Sequence, residues 1–189
     1  WGNSRSKTSV IVWAMYRLLP FTLTVLMLSV STASIASDAL LATMKQGSYV
    51  LLLRHALAPG FGDPPEFTIG DCTTQRNLSA EGRQQARDLG KSFRDAGLND
   101  LLIFSSEWCR CQDTATEMNI GTLITHSGLN SFFQNRGKRD TIVRKLRDLL
   151  DTLHGGPSAI LVTHQVNVRA ITGQSVASGG GILIRLEPN

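Results

Sequence analysis

Two arginines and two histidines stand at or just beyond the ends of short apolar runs in this 189-residue chain. Arg54 and His55 follow one run, Arg110 lies one turn after a second run, and His164 follows a third. Guanidinium groups bind phosphate oxygens with paired donors and keep their charge. A histidine held among them has its charged form disfavoured, so its neutral ring can attack phosphorus. Together these residue types predict phosphoryl transfer through a histidine nucleophile, and the arginines make a metal or cofactor unnecessary.

The apolar runs have the length of buried strands and must position these side chains. Residues 48–53, 101–104 and 159–162 are continuous apolar segments too short for helices. A helix is expected between the N-cap Ser79 and the stop signal Gly97. Alternating strands and helices predict an α/β three-layer sandwich, with a mainly parallel sheet and helices on both faces. Ligands bind beyond the carboxyl ends of parallel strands, so we expect all four side chains at one edge of the sheet.

The same spacing rules predict the remaining elements. Helices are expected at residues 107–118, 141–153 and 167–171, and an edge strand at residues 182–184. Residues 119–138 show neither the repeat of apolar residues typical of a helix nor the alternation typical of a strand, and are predicted to be irregular.

The first 36 residues differ in composition from the rest of the chain. They contain three basic residues, no acidic residue and an apolar run at residues 18–30. Ser34, Ile35 and Ala36 fit the small-x-small pattern of a signal-peptidase site. The run is shorter than the roughly 20 residues that span a bilayer. We therefore expect a cleaved signal peptide at residues 1–36 rather than a membrane anchor, and one periplasmic or secreted domain at residues 37–189 with no stable membrane insertion.

The charge of the chain argues against a nucleic-acid partner. The whole chain carries +4, but residues 1–36 hold three of the 19 basic residues and none of the 15 acidic ones. The remainder is therefore 16 basic against 15 acidic residues, or +1. It also lacks a basic stripe with interleaved aromatic residues, which nucleic-acid binding would favour.

The three cysteines predict one disulfide. Cys109 and Cys111 are too close in sequence to pair easily with each other, so Cys72 is expected to pair with one of them in an oxidising compartment. The chain has no pair of C-x-x-C units, so we expect no structural zinc site.

Four segments resemble signatures of the histidine phosphatase superfamily, which includes the phosphoglycerate mutases and the small phosphohistidine phosphatases. They are Leu53–Ala56, Asn77–Ala86, Ser105–Arg110 with Thr114 and Ala115, and Val162–His164. The resemblance, which spans about residues 48–186, implies that His55 is the nucleophile and that Arg54, Arg110 and His164 bind the phosphate and stabilise the transition state. Ser106 is expected either to contact the substrate or to cap the following helix. The implied activity is a metal-independent phosphatase acting on a small phosphorylated substrate or a phosphoprotein.

The proton donor for the leaving group is not assigned by these segments. Ala56 stands where the family usually has glycine, and Gln165 stands where its acid-phosphatase branch has an aspartate. Glu107 is the nearest carboxylate in sequence and is the candidate acid, with a first-turn helix acid as the alternative interpretation. Glu66 and Asp71, on the loop after the nucleophile, are further candidates.

Three other functions stay open at this point. A phosphate-binding protein with little or no catalysis is suggested by the unassigned acid. A phosphoglycerate mutase-like phosphotransferase is disfavoured by the short segment between Arg110 and His164. A metallohydrolase using His55 and His164 is disfavoured because neighbouring arginines repel a cation.

Overall fold

The computed structural model describes residues 32–186, so residues 1–31, which carry most of the predicted signal peptide, lie outside the described part. The helices and strands are, in chain order, α1 (Thr32–Met44), β1 (Tyr49–Arg54), α2 (Ala80–Asp95), β2 (Leu101–Ser105), α3 (Cys109–Met118), β3 (Gly121–Thr125), α4 (Arg139–Thr152), β4 (Ala159–Thr163), α5 (Gln165–Thr172) and β5 (Gly181–Arg185). Three short 3-10 helices lie at Cys72–Thr74, Ser127–Leu129 and Arg136–Lys138. None of the helices within residues 32–186 has the length and hydropathy to cross a membrane.

The strands form one mixed, mostly parallel sheet in the order β3-β2-β4-β1-β5. Strands β1 and β2 each pair in parallel with β4, and β3 pairs in parallel with β2. Strand β5 pairs antiparallel with β1 and forms an edge, as predicted. The carboxyl ends of β1, β2 and β4 therefore meet at one edge of the sheet.

Helices cover both faces of the sheet, which confirms the predicted three-layer sandwich. Leu51 and Leu53 of β1 pack in a cluster with side chains of α1, α2 and α3. Val50 and Leu52, which point to the opposite face, pack in a second cluster with side chains of α4 and α5. Because both faces are buried, the central strands are apolar at nearly every position, which is why they appear as continuous runs in the sequence.

The prediction that residues 119–138 are irregular is wrong for Gly121–Thr125, which form β3. This strand lies at the edge of the sheet, and four of its five residues are exposed. It therefore carries neither a continuous apolar run nor a clear alternation, the two patterns by which a strand is recognised in sequence.

The first residues of α2 contact the loop that follows the predicted nucleophile, His55. The Ser79 hydroxyl accepts a hydrogen bond from the Gly82 N–H at 3.1 Å, which confirms the predicted N-cap. The backbone of Leu57 bonds to the same helix start, through the Ser79 N–H at 3.1 Å and the Gln85 side chain at 3.0 Å. A Cβ atom on Gly82 would lie only 2.0 Å from the Leu57 carbonyl oxygen. The helix can approach this loop only because position 82 has no side chain.

We expect Gly82→Ala to lower the free energy of unfolding. Helix propensity alone would favour alanine by about 1 kcal/mol, but overpacking against an immobile backbone costs about 1–3 kcal/mol or more. Because the atom that the new Cβ meets is backbone, the cost lies at the upper end of this range, about 3 kcal/mol. The net loss is then about 2 kcal/mol, which is measurable by urea denaturation. Gly137→Ala is the matched control because its added Cβ would meet no atom closer than 3.5 Å. Equal stability of the two variants would contradict the close approach at position 82.

Candidate active site

One cavity of about 620 Å³ lies at the carboxyl edge of the sheet, and Arg54, His55, Arg110 and His164 all line it. The centroids of the two imidazole rings are 5.5 Å apart. The structure thus brings together the four side chains that the sequence placed at the ends of three different strands. Gln165, next to the second histidine, also lines the cavity, and its side chain accepts a hydrogen bond from the Val176 N–H.

Backbone hydrogen bonds from neighbouring segments hold His55 in place directly after β1. Its N–H donates to the Thr163 carbonyl at 2.9 Å, and its carbonyl accepts from the Gly179 N–H at 3.0 Å. The next N–H, of Ala56, donates to the Thr114 hydroxyl of α3 at 3.0 Å. Ala56 is fully buried and is not among the described residues with positive φ. An alanine is therefore accommodated where the family usually has glycine.

The His55 ring is held neutral with a defined tautomer. Its Nδ1 lies 2.8 Å from the Ala56 carbonyl oxygen, which can only accept, so Nδ1 carries the proton and Nε2 carries the lone pair. Burial lowers the pKa of His55 to about 3; the bond to the Ala56 carbonyl acts to raise it, and the charges of Arg110, Arg76 and Arg54 lower it further. At neutral pH the ring is uncharged and its Nε2 carries a lone pair, as a nucleophile requires.

Arg110 is bound by a buried aspartate. The two terminal nitrogens of Arg110 lie 2.7 and 3.1 Å from the two carboxylate oxygens of Asp63, and both side chains are at most 3% exposed. Asp63 also accepts hydrogen bonds from the Arg76 N–H and the Trp108 ring N–H, each at 3.1 Å. Burial acts to raise the pKa of Asp63. The hydrogen bonds from Arg110 and the positive charge of that guanidinium group nevertheless hold the pKa of Asp63 below its ordinary value.

Asp63 and Arg76 line the cavity but were not predicted from the sequence. They lie on the long loop after β1, where no periodic pattern exists, and their nearness to Arg110 arises only from the tertiary fold. The Arg76 side chain is fixed by the carbonyl of Gly62 at 2.6 Å and by that of Ala58. The predicted candidate acids on this loop, Glu66 and Asp71, do not line the cavity, and Asp71 caps the short 3-10 helix Cys72–Thr74.

A chain of hydrogen bonds runs from His164 to Glu107. An Arg110 N–H donates to His164 Nδ1 at 3.4 Å, so Nε2 carries the proton and donates to the Ser106 hydroxyl at 2.9 Å. That hydroxyl donates to the Asn130 side-chain oxygen at 3.2 Å, and the Asn130 amide donates to the Glu107 carboxylate. Burial, and next the charge of Arg110, lower the pKa of His164 well below its ordinary value. Asn130 lies in the segment predicted to be irregular and was not singled out.

The candidate acid Glu107 lies outside the cavity. It lines a neighbouring groove with Trp108 and Lys138, and its own N–H donates to the Asn130 side-chain oxygen at 2.9 Å. This placement gives no support to Glu107 as a proton donor. Ser106 is fully buried and does not line the cavity either. Its hydroxyl accepts from the Trp108 N–H at 3.3 Å, but Trp108 itself is the N-cap of α3 and no side chain caps this helix, so the expectation that Ser106 caps it is wrong.

A disulfide joins Cys72 to Cys109, one of the two pairings that the sequence left open. It ties the long loop after β1 to the first residue of α3, directly before Arg110. Cys111 is a free, buried cysteine, and burial raises the pKa of its thiol to about 12. Its sulfur lies 3.5 Å from His164 Nε2.

Two buried guanidinium donors have no protein partner within residues 32–186. They are the Nε groups of Arg54 and Arg110. Unpaired buried donors are costly, so an anion with several acceptor oxygens would stabilise this site. In the same described part of the chain, no group of three or more histidine, cysteine or acidic side chains is arranged to hold a metal ion.

We expect the stability of the fold to fall as the pH drops below about 6.5. The histidines of an unfolded chain take up protons near that pH, whereas His55 and His164 stay neutral in the fold. The unfolded state then binds more protons, so stability is full above pH 6.5 and declines by about 1.4 kcal/mol per pH unit per histidine. For His55 this window extends down to its folded pKa of about 3.

Urea unfolding between pH 4.5 and 7.5 measures this slope. His55→Gln should reduce the slope by one histidine's share. Gln174→Ala, which removes an exposed side chain that does not titrate and does not line the cavity, should keep the slope of the unchanged protein. An unaltered slope in His55→Gln would contradict the buried neutral ring.

We expect loss of the disulfide to destabilise the fold by about 3–4 kcal/mol in the chain-entropy account of cross-links. The cross-link closes a segment with a sequence separation of 37 residues. A Cys72→Ala/Cys109→Ala double variant should show this loss in urea denaturation. Dithiothreitol should lower the stability of the unchanged protein toward that of the double variant and leave the double variant itself unaffected. A fully reduced protein of unchanged stability would contradict the expectation.

Comparison with known proteins agrees with this geometry. The family described as histidine phosphatase superfamily (branch 1) matches residues 50–132, a segment that includes His55, Asp63 and Arg110. No curated protein matches the chain at a significant level.

Solved structures share the fold at low sequence identity. A protein assigned as the phosphohistidine phosphatase SixA of Agrobacterium tumefaciens has a TM-score of 0.54 and 18% identity, over 74% of this chain and 92% of that one. A mycobacterial glucosyl-3-phosphoglycerate phosphatase in complex with VO3 has a TM-score of 0.52 and 16% identity, over 72% and 90%. Phosphoserine phosphatase from Entamoeba histolytica with 3-phosphoglyceric acid has a TM-score of 0.50 and 15% identity, over 71% and 89%. Over residues 50–132 the chain is therefore similar to the histidine phosphatase superfamily (branch 1), and the solved structures named above share its fold, with paired histidines and arginines at the sheet edge of this chain.

Proposed function

We propose that this protein is a phosphatase that hydrolyses phosphomonoesters or phosphohistidine through a phosphorylated His55. The observation that carries the proposal is the neutral His55 ring, with its proton held on Nδ1 by Ala56, in a cavity lined by Arg54, Arg76 and Arg110. The neighbours of the same fold support it, since those named above are phosphatases.

In the first step, the lone pair of His55 Nε2 attacks phosphorus. The N–P bond forms as the bond from phosphorus to the leaving atom breaks, and the leaving group takes that electron pair. The charge spread over the phosphoryl oxygens is stabilised by the guanidinium groups of Arg54, Arg76 and Arg110, which line the cavity. In the second step, water attacks the phosphohistidine, which releases phosphate and restores the ring.

His164 has two proton arrangements that suit two states of the site. In the structure its Nδ1 accepts from Arg110 and its Nε2 donates to Ser106. A hydroxyl group can also donate, so Ser106 can turn its proton toward Nε2 while still accepting from the Trp108 N–H. Nδ1 then carries a proton that it can donate to a phosphate oxygen. In this account Asn130 and Glu107 are positioning residues that orient Ser106.

The acid–base content of the cavity favours substrates with a good leaving group. Asp63 is the only carboxyl-bearing side chain among the described residues that line it. Its bonds to Arg110 and its lowered pKa keep it ionised at neutral pH, so it has no proton to give. An aryl phosphate or a phosphohistidine leaves without a strong acid. The same observation favours the second candidate, a phosphate-binding protein with little catalysis.

The oxidising compartment expected from the sequence is part of this proposal. The disulfide between Cys72 and Cys109 supports it, because such cross-links persist chiefly outside the cytosol.

We expect His55→Ala to reduce p-nitrophenyl phosphate hydrolysis about 10³-fold or more, because it removes the attacking atom. Incubation of the unchanged protein with a ³²P-labelled substrate, followed by alkaline quench, should trap an acid-labile label on His55. His154→Ala is the matched control and should keep full activity and labelling. Full activity in His55→Ala would refute the proposal. Vanadate binding without turnover of p-nitrophenyl phosphate or a phosphohistidine peptide would favour the binding protein.

A further inference from the structure

Three exposed arginines line the outer part of the cavity. Arg136 lies in the 3-10 helix Arg136–Lys138, Arg139 begins α4, and Arg169 lies in α5. His55 and Arg110, by contrast, are each only 3% exposed and form the inner end. We call these three residues the outer arginines. They are contributed by three separate elements, which the fold brings to one opening.

The charge of the inner end already matches one phosphate group. Arg54, Arg76 and Arg110 supply three positive charges, and Asp63 removes one of them. The two histidines are neutral because their pKa values are lowered. The inner end therefore carries a net charge of +2, and a phosphate monoester near neutral pH carries about −2.

The outer arginines are left with little compensation. Asp63 is the only acidic residue that lines the cavity within the described part of the chain, and it is bound to Arg110. Arg139 pairs with Asp140, but both side chains are more than half exposed. The interaction energy of such an exposed ion pair is small. The Arg136 guanidinium lies 5.3 Å from the centre of the Phe133 ring. The positive charge at the opening exceeds what a single phosphate group needs.

The size and surface of the cavity also exceed what a phosphate group needs. Its volume of about 620 Å³ lies within the range of sites for whole small molecules. Phe61 and Phe133 line it and contact each other edge to face, with centroids 4.8 Å apart. Phe61 is 88% exposed, so its ring is accessible to a ligand in the cavity that it lines.

We propose that the outer arginines form a second anion-binding subsite, so the preferred substrate is a phosphomonoester that carries another phosphate or phosphate-like dianion. The phosphoryl group to be transferred binds at the inner end, the carbon skeleton contacts Phe61 and Phe133, and the second anion binds the outer guanidinium groups. This inference rests on the proposed phosphatase function.

A rival explanation is that the outer arginines only attract anions at long range. Electrostatic steering would accelerate the binding of every anionic substrate and would weaken with ionic strength. A subsite contacts only the second anion. Removal of the outer arginines should therefore lower kcat/KM for substrates with one and with two phosphate groups alike if they only steer anions, but mainly for substrates with two phosphate groups if they form a subsite.

The test compares alkanediol bisphosphates with the matching hydroxyalkyl monophosphates, at chain lengths from two to six carbons. We expect the unchanged protein to prefer the bisphosphate by about tenfold or more in kcat/KM at a favoured length, as charge-assisted bonds to one anion imply. The variant Arg136→Gln/Arg139→Gln/Arg169→Gln should lose this preference through KM, while its kcat/KM for the monophosphate changes by less than about threefold.

The matched control is Lys91→Gln/Arg144→Gln/Arg147→Gln, which removes the same charge at exposed positions that do not line the cavity. It should keep the preference. Equal losses for both substrates in the outer-arginine variant, or no preference in the unchanged protein at any length, would overturn the subsite.

Failure of the proposed function gives a different result. If neither substrate is hydrolysed, isothermal calorimetry with the same compounds tests the subsite by itself. Tighter binding of the bisphosphate, lost in the outer-arginine variant and kept in the control, supports the subsite without catalysis. Equal binding of both compounds rejects it.

Discussion

The buried ion pair between Asp63 and Arg110 is the interaction on which the site depends. It joins the long loop after β1 to helix α3, and its four atoms form two parallel hydrogen bonds that fix the guanidinium plane. Asp63 also accepts from the backbone N–H of Arg76 and from the ring N–H of Trp108, so one carboxylate fixes the backbone at a second arginine and the ring at the start of α3. Removing either partner of such a pair would leave an unpaired charge in a buried site, which destabilises the fold. The pair thus keeps Arg110 positioned before any substrate arrives.

The second feature of the site is that two neutral imidazole rings lie beside positively charged arginines. Burial and positive neighbours both disfavour protonation of His55 and His164, so the rings stay uncharged where an imidazolium would repel the guanidinium groups. The cost is a fold that tolerates acid poorly, and the gain is a nucleophile that needs no separate base to remove its proton. The tautomer of His55 is set by its bond to the Ala56 carbonyl, and that of His164 by the Arg110 N–H that donates to its Nδ1.

What the sequence reveals depends on whether a feature is local. Buried parallel strands appear as apolar runs, so β1, β2 and β4 were predicted, and with them the meeting of His55 with His164. Ser79 and Gly97 mark the ends of α2 through local backbone chemistry, and Gly97 has the positive φ of a helix stop. Strand β3 escaped prediction because an exposed edge strand needs no apolar pattern. Asp63, Arg76 and Asn130 escaped because loops carry no period, and their roles come from contacts 23 to 47 residues away in sequence.

The position of the disulfide has a consequence for when the site is assembled. Cys109 immediately precedes Arg110, and its sulfur joins the loop that also carries Asp63. A newly made chain whose cysteines are still thiols lacks the covalent tether between the two segments that supply this ion pair. Oxidation therefore adds a covalent constraint to two segments that the ion pair otherwise joins only by hydrogen bonds and charge.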